Sequence, residues 1–216
     1  MTELVIKGVL AYLLGSIIGS LVIRRLAGGV DIRTVGSGNP GATNAMRTLG
    51  IKAGIGVFVI DLAKGWIATG ALAPWAMPAI PRAAPALAPW VVPVCGIAVM
   101  LGHVYPVWFG FRGGKGVATL VGAVLGISIW LLVPMVLTWL IAVILFGFVS
   151  VGSMLGAIAL AVTIWVRQLG TPLFTFGVVA ALLILYTHRG NIARLRAGTE
   201  PRSQRLWLLG ARRGRA

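Results

Sequence analysis

From Val117 to Tyr186 the chain is almost continuously apolar, and few folds accept such a run. A soluble fold would leave most of it with nothing polar to turn toward water. In a bilayer, each crossing needs a helix of about 20 apolar residues, within roughly 17–25, because every backbone N–H and C=O must find its partner inside the segment. Breaks read at Pro134, at Ser150 to Ser153 and at Arg167 to Pro172 divide the run into four short spans. Ahead of it lie Leu4 to Ile23 and Ile51 to Leu72, both of spanning length, and a shorter span from Trp90 to Leu101. A proline-rich connection, Ala73 to Pro89, with the single Arg82, separates the second span from the third.

The sequence therefore predicts an all-α integral membrane protein, a bundle of seven transmembrane helices forming one domain over residues 1–216. A five-span layout with partly re-entrant segments is the alternative. A chain that is 58% hydrophobic and 11% charged, with a mean hydropathy of +0.97, has no room for a second, soluble domain. Leu4 to Ile23 is followed by Arg24 and Arg25, the reverse of a signal peptide's charge order, and reads as a first span and not a cleaved leader.

The net charge of +15 would suit nucleic acid if the cations shared a soluble face with stacking aromatics, and they do not. They lie between the apolar segments and in the tail. With seven spans, Arg24, Arg25, Arg33, Arg47, Lys52, Arg112, Lys115 and the arginines from Arg189 onward fall on one side, leaving Glu3, Lys7, Arg82 and Arg167 on the other. The positive-inside rule then puts the N-terminus outside and the C-terminus in the cytoplasm. Residues 202–216, rich in arginine with Leu206 and Trp207, read as a basic interfacial tail on the inner leaflet. Cys95 stands alone, so no intrachain disulfide forms, and neither a metal site nor a cofactor is expected. Glycines four residues apart, Gly15 with Gly19, Gly122 with Gly126 and Gly152 with Gly156, read as close helix contacts.

Function must sit in three polar stretches. The first, Ser37, Gly38, Asn39, Pro40, Gly41, Ala42, Thr43 and Asn44 with Arg47 beyond, offers hydroxyls, amides and glycines to a ligand's oxygens, at a turn leading into a helix capped by Thr43 or Asn44. The second runs from Gly102 to Thr119 and holds His103, Arg112, Gly113, Gly114, Lys115 and Gly116. Glycine amides beside a cation suit phosphate; a flexible basic connector is the competing reading. Gly116 follows Lys115 where a Walker loop needs a magnesium-binding hydroxyl, so this is no nucleotide loop. The third contains His188, Asn191, Arg194 and Glu200. Both histidines of the chain thus stand at the inner end of a span beside basic residues.

The runs SGNPGATN, GHVYPVWFGFRGGKGVAT and HRGNIARLRAGTE resemble, in order and spacing, the three signature motifs of the bacterial PlsY-type glycerol-3-phosphate acyltransferases. The resemblance covers the whole chain. It implies a multi-pass enzyme of the bacterial cytoplasmic (inner) membrane whose site faces the cytoplasm. The reaction implied moves a fatty acyl group from acyl phosphate to the 1-hydroxyl of glycerol 3-phosphate, giving lysophosphatidic acid. The partners implied are those two substrates, membrane lipids and a functional link to the enzyme that produces acyl phosphate. The family's second motif often has Lys where this chain has Arg112, a change of geometry at constant charge. Asp61 and Lys64, three apart on the second span, also resemble a family feature. They read either as a structural ion pair or with Lys64 attracting substrate phosphate.

An acyl phosphate is already activated, so the protein mainly has to hold two anions and orient one hydroxyl. Lys115, Arg112 and the glycine amides are expected to bind a phosphate. Ser37, Gly38, Asn39, Gly41, Thr43, Asn44 and Arg47 would build the opposing wall, with Lys64 and Thr119 nearby, and His188, Asn191, Arg194 and Glu200 would close the site. The catalytic set expected is Ser37, His103, Lys115, His188 and Asn191. If a general base acts, His103 leads and His188 follows; a substrate phosphate accepting the proton is the base-free alternative. No G-x-S-x-G elbow surrounds Ser37, and Trp108 and Ala193 stand where the soluble acyltransferase pattern would place an acid five residues after histidine. An organic-phosphate transporter is the competing function, and a noncatalytic lipid-binding scaffold a third.

Overall fold

The computed structural model describes residues 1–28, 30–203, 206 and 207, and among them there is no strand. The chain forms two compact units, Met1–Ser128 and Ile129–Ala216. Of its helical segments, Ile51–Leu72, Ala88–Phe109, Ile129–Phe146 and Val149–Val166 are each long and apolar enough to cross a membrane. Two bent pairs raise the number to six when each is taken as one span. A further apolar helix, Val117–Ile127, is only 11 residues long, below the usual spanning length.

The N-terminal unit contains α1 (Thr2–Gly15), α2 (Gly19–Ala27), α3 (Ala42–Thr48), α4 (Ile51–Trp66), α5 (Val91–Val104) and α6 (Val117–Ile127). Helix α1 packs on α5 and α4 on α6, and glycine sets both contacts. A methyl group at Gly15 would run into the Val99 carbonyl and one at Gly102 into that of Tyr12, while Gly122 and Gly65 stand in the same relation to the carbonyls of Leu62 and Thr119. Without a hydrophobic drive between helices in lipid, such close backbone approach is what holds them. The expected first span is broken: α1 and α2 meet at 50°, with Ile18 in extended conformation between them. Beyond α4 the helix continues as a π-helical stretch, Ile67–Leu72, so the second span keeps its expected extent.

Glu3 and Lys7, assigned by their charge to the outer aqueous side, are instead buried. Lys7 Nζ donates to Glu3 Oε1 at 2.7 Å and to the Ala73 carbonyl at 2.5 Å, and Ala83 N–H donates to Glu3 Oε2 at 2.5 Å. An i,i+4 pair on α1 thus clasps the start and the middle of the proline-rich connection, and the charges are satisfied by each other and by backbone instead of by water.

The C-terminal unit contains α7 (Ile129–Phe146), α8 (Val149–Val166), α9 (Thr171–Thr187) and α10 (Arg189–Arg196). The apolar run does form four helices, but two breaks lie elsewhere than expected. The first is at Ser128, which is extended, and Pro134 sits inside α7. So near a helix start, a proline removes a single i→i−4 bond and can be accommodated. The second is at Gly147, whose φ of +78° favours glycine, while Ser150 to Ser153 lie within α8 and Ser153 Oγ donates to the Val149 carbonyl. Gly152 and Gly156 face the carbonyls of Trp139 and Met135 at the α7 contact. Helices α9 and α10 meet at 55°. Of the expected interfacial tail, Arg202 lies over the rings of Phe148 and Trp207 and Ser203 N–H donates to the Gly147 carbonyl; residues 204–205 and 208–216 lie outside the described residues.

Candidate active site

The first polar stretch is a loop held by one buried amide. Asn44 Nδ2 donates to the carbonyls of Ile32 and Val35 at 3.1 and 3.0 Å, and Asn44 Oδ1 accepts from Ser37 N–H at 3.0 Å. Gly36 at φ +61° lies against that amide, leaving no space for a Cβ. The cap of α3 is Gly41, without a side-chain hydrogen bond, so neither Thr43 nor Asn44 caps it; Asn44 reaches back over the loop instead. Ser37, Gly38, Thr43 and Arg47 are exposed and Asn39 and Gly41 half-buried, all available to a ligand. Upstream, Asp31 pairs with Arg33 at 2.7 Å and Arg24 at 3.0 Å. Hydrogen bonds from Arg33 outweigh burial and hold its carboxyl at about 2.

The second stretch folds back on the end of α5. Gly113 N–H donates to the Val104 carbonyl and Gly114 N–H to that of His103, each at 3.1 Å. These two glycine amides are therefore spent within the loop, contrary to the expectation that they bind phosphate themselves. The close return is why glycines stand there: a Cβ on Gly113 would overlap the His103 carbonyl, and one on Gly114 the His103 imidazole at Nε2. Gly116, at φ +86°, then turns the chain into α6. The first-turn N–H groups of a helix have no intrahelical acceptor, and the helix dipole is positive there. Lys115, half-buried, directly precedes that turn, and Arg112 is exposed. Within the turn, Thr119 is fully buried and its Oγ1 makes no hydrogen bond.

Both loops hang from the break between α1 and α2. Ser20 Oγ donates to the Pro40 carbonyl at 3.0 Å, Val107 N–H donates to Ser16 Oγ at 3.3 Å and Tyr12 OH donates to the Tyr105 carbonyl at 2.7 Å. The break itself is filled by charge. Lys64 Nζ donates to the carbonyls of Gly15 and Ile17 at 2.9 and 2.6 Å and lies 3.0 Å from Asp61 Oδ1 and 2.9 Å from His103 Nδ1. Gly19 N–H donates to Asp61 Oδ1 at 3.2 Å. Asp61, Lys64 and His103 are all buried. The ion-pair reading of Asp61 and Lys64 therefore describes the geometry, and Lys64 is turned into the protein with each of its N–H donors in use.

In the C-terminal unit, Glu200 gathers the third stretch. Its Oε1 accepts from Asn191 Nδ2 at 2.6 Å and Ser150 Oγ at 2.7 Å, and its Oε2 from Arg194 Nε at 2.8 Å. Burial pushes this carboxyl up, but the three hydrogen bonds and the Arg194 charge outweigh it and hold it below the usual range. His188 and Asn191 are buried, and His188 Nδ1 lies 2.8 Å from the Ile184 carbonyl. Tyr12, Ser16, Ser20 and Ser150 carry much of this organisation and are not marked as site residues by the sequence, where Ser150 reads only as part of a helix break. The signal was faint: small polar residues, in the case of Ser16 and Ser20 adjoining the packing glycines Gly15 and Gly19.

Residues 5–198 match the family model described as glycerol-3-phosphate acyltransferase. The chain belongs to that family. A glycerol-3-phosphate acyltransferase of Chlorobaculum tepidum is 40% identical, the alignment covering 90% of this chain and 94% of that one. Another from Bordetella pertussis is also 40% identical, over 90% and 89%. The crystal structure of PlsY, an integral membrane glycerol 3-phosphate acyltransferase, in its glycerol 3-phosphate form superposes with a TM-score of 0.82 at 39% identity, over 92% of this chain and 94% of that one. Its lysophosphatidic acid form gives 0.80 at 38%. This chain is thus a multi-pass membrane acyltransferase of phospholipid biosynthesis.

Proposed function

We propose that the protein transfers a fatty acyl group from acyl phosphate to the 1-hydroxyl of glycerol 3-phosphate, releasing phosphate and lysophosphatidic acid. It would do so on the cytoplasmic side of a bacterial inner membrane, as a seven-span bundle with its N-terminus outside. The observation that carries the reading is the shared hinge. Two loops rich in donors for oxyanions, 36–47 and 105–119, are hydrogen-bonded to one short break between α1 and α2, at Ser20 and at Ser16. In this reading Lys115, Arg112 and the first-turn amides of α6 hold one phosphate. Ser37, Gly38, Asn39, Gly41, Thr43 and Arg47 supply donors and close backbone approach from the other loop. Asn44, Gly113, Gly114 and Lys64 shape these loops and do not themselves touch substrate; Gly116 and Thr119 set the turn into α6. The third stretch supplies further polar groups of the same kind, His188, Asn191 and Arg194, the last two fixed by Glu200.

In the reaction the 1-hydroxyl oxygen attacks the acyl carbon, the bond to the donor phosphate breaks, and the hydroxyl proton passes to a base or to a phosphate oxygen. Cations around the leaving phosphate stabilise the charge it gains. The exposed arginines and Lys115 suit this better than a channel, whose ion-pairing groups would line a midplane path.

The test is purified protein given acyl phosphate and labelled glycerol 3-phosphate. Labelled lysophosphatidic acid is the expected product, lost in Lys115→Ala. Uptake of the label into vesicles without product would establish the transporter instead. Replacing acyl phosphate with acyl-CoA tests the donor class, and product from acyl-CoA alone would overturn that part of the reading.

A further inference from the structure

Both histidines stand in stretches the proposed reaction uses, and their partners differ in kind. Lys64 Nζ lies 2.9 Å from His103 Nδ1. An ammonium group can only donate. Lys64 is the charged member here: it stands 3.0 Å from the Asp61 carboxylate and donates to two carbonyls, whereas a neutral amine would set its lone pair against that carboxylate. The His103 nitrogen facing it must then be the lone-pair nitrogen. The other route to a proton on Nδ1, a hydrogen bond to Asp61 Oδ1, spans 3.4 Å, beyond the usual 2.7–3.2 Å. His188 presents the reverse case. Its Nδ1 lies 2.8 Å from the Ile184 carbonyl, which can only accept, so that nitrogen carries the proton.

We infer that the two histidines are locked in opposite tautomers, His103 with its proton on Nε2 and His188 with its proton on Nδ1. The consequence for His103 is directional. Its Nε2 faces Gly114, where a Cβ would overlap the ring, so the N–H is presented to the glycine-rich loop. His103 is a positioning residue with an N–H directed at that loop; it has no lone pair on that side and does not serve as the general base. Asp61 takes part by fixing Lys64, and Lys64 by dictating the tautomer. On His188 the lone pair is then on Nε2. The role of His103 rests on the proposed acyl transfer; the tautomers themselves do not.

The decisive measurement is the side-chain nitrogen spectrum of full-length protein carrying 15N-histidine, purified in detergent, with His188→Gln used for assignment. Two neutral rings protonated on different nitrogens are expected: Nε2 for His103, Nδ1 for His188. A proton on His103 Nδ1, alone or in an imidazolium, would overturn the inference whatever the activity of the sample. Kinetics give the second arm. His103→Ala is expected to lose roughly tenfold in kcat/KM, through KM, and His103→Gln, whose amide places an N–H donor near the position of imidazole Nε2, to recover most of it, both variants keeping the acid limb of the pH profile. Equal losses of about 100-fold or more in kcat for both variants, with the acid limb gone, would make His103 the base after all. If wild-type protein forms no lysophosphatidic acid, the reaction reading fails while the spectrum still decides the tautomers.

Discussion

Replacing Asn44 with aspartate keeps the side chain's shape and reverses its chemistry. Oδ1 still accepts from Ser37 N–H, but the two bonds from Nδ2 to the Ile32 and Val35 carbonyls, at 3.1 and 3.0 Å, are lost. In their place an anion faces two carbonyl oxygens at a position 2% exposed. Two lost hydrogen bonds cost about 1 kcal/mol each, and two buried carbonyls left unpaired add roughly 1–3 kcal/mol each. The total, about 4–8 kcal/mol, exceeds what a surface loop resting on three such bonds can absorb. At about 1.4 kcal/mol per tenfold, even half of it shifts the loop toward its open state by ~100-fold. Asn44→Asp should therefore raise KM for glycerol 3-phosphate by at least that factor. Hydrogen exchange should show amides in 34–41 opening by a similar factor, with α5 and α6 protected as before. A raised KM with loop exchange unchanged would refute the reasoning, because it would mean that Asn44 touches the substrate and does not hold the loop. Normal values of both would show that the loop stands without it.

Three other outcomes are open to measurement. Glu200→Gln replaces a carboxylate that gathers three donors with a group whose NH2 must face some of them. A 10–100-fold loss in kcat/KM with a lowered melting temperature is expected, since bonds to a charged acceptor are worth about 1.5–3 kcal/mol and the half-exposed Arg194 contributes the least of the three; wild-type kinetics would detach Glu200 from the site. Single changes at the buried pair, Asp61→Asn or Lys64→Met, strand a charge at a cost of roughly 3–5 kcal/mol. The double variant should then melt higher than either single one, and strictly additive losses would contradict the pairing. Asp31 is held at about 2, below its ordinary 3.8, so its stabilising contribution is complete above pH ~4 and lost as pH falls through 2. Asp31→Asn should flatten the melting curve's dependence on pH in that window, and an unchanged slope would show that Arg33 and Arg24 do not stabilise the fold through it.

Much of the architecture was legible because hydrocarbon imposes period and length. The apolar runs gave helices over Ile51–Leu72 and the four of the C-terminal half, and the paired glycines proved to be the helix contacts they resembled. The positions of the breaks were harder. Pro134 looked like a stop and is tolerated near a helix start, whereas Ser128 and Gly147 break the chain by backbone conformation that no side chain announces. The break between α1 and α2 was invisible, since Leu4 to Ile23 reads as one span.

At the site, sequence alone determined which residues matter as a set, because three polar stretches in so apolar a chain have nowhere to hide. What each one does was decided by tertiary structure. Gly113 and Gly114 look like phosphate donors until their N–H groups are found on the carbonyls of Val104 and His103. Lys64 looks like an anion trap until four acceptors from α1, its C-terminal break, α4 and α5 close around it. The reason is physical. A donor's chemistry is fixed by its residue type, but whether it is free for a ligand depends on which carbonyls the fold brings within hydrogen-bond reach, and those come from other segments of the chain.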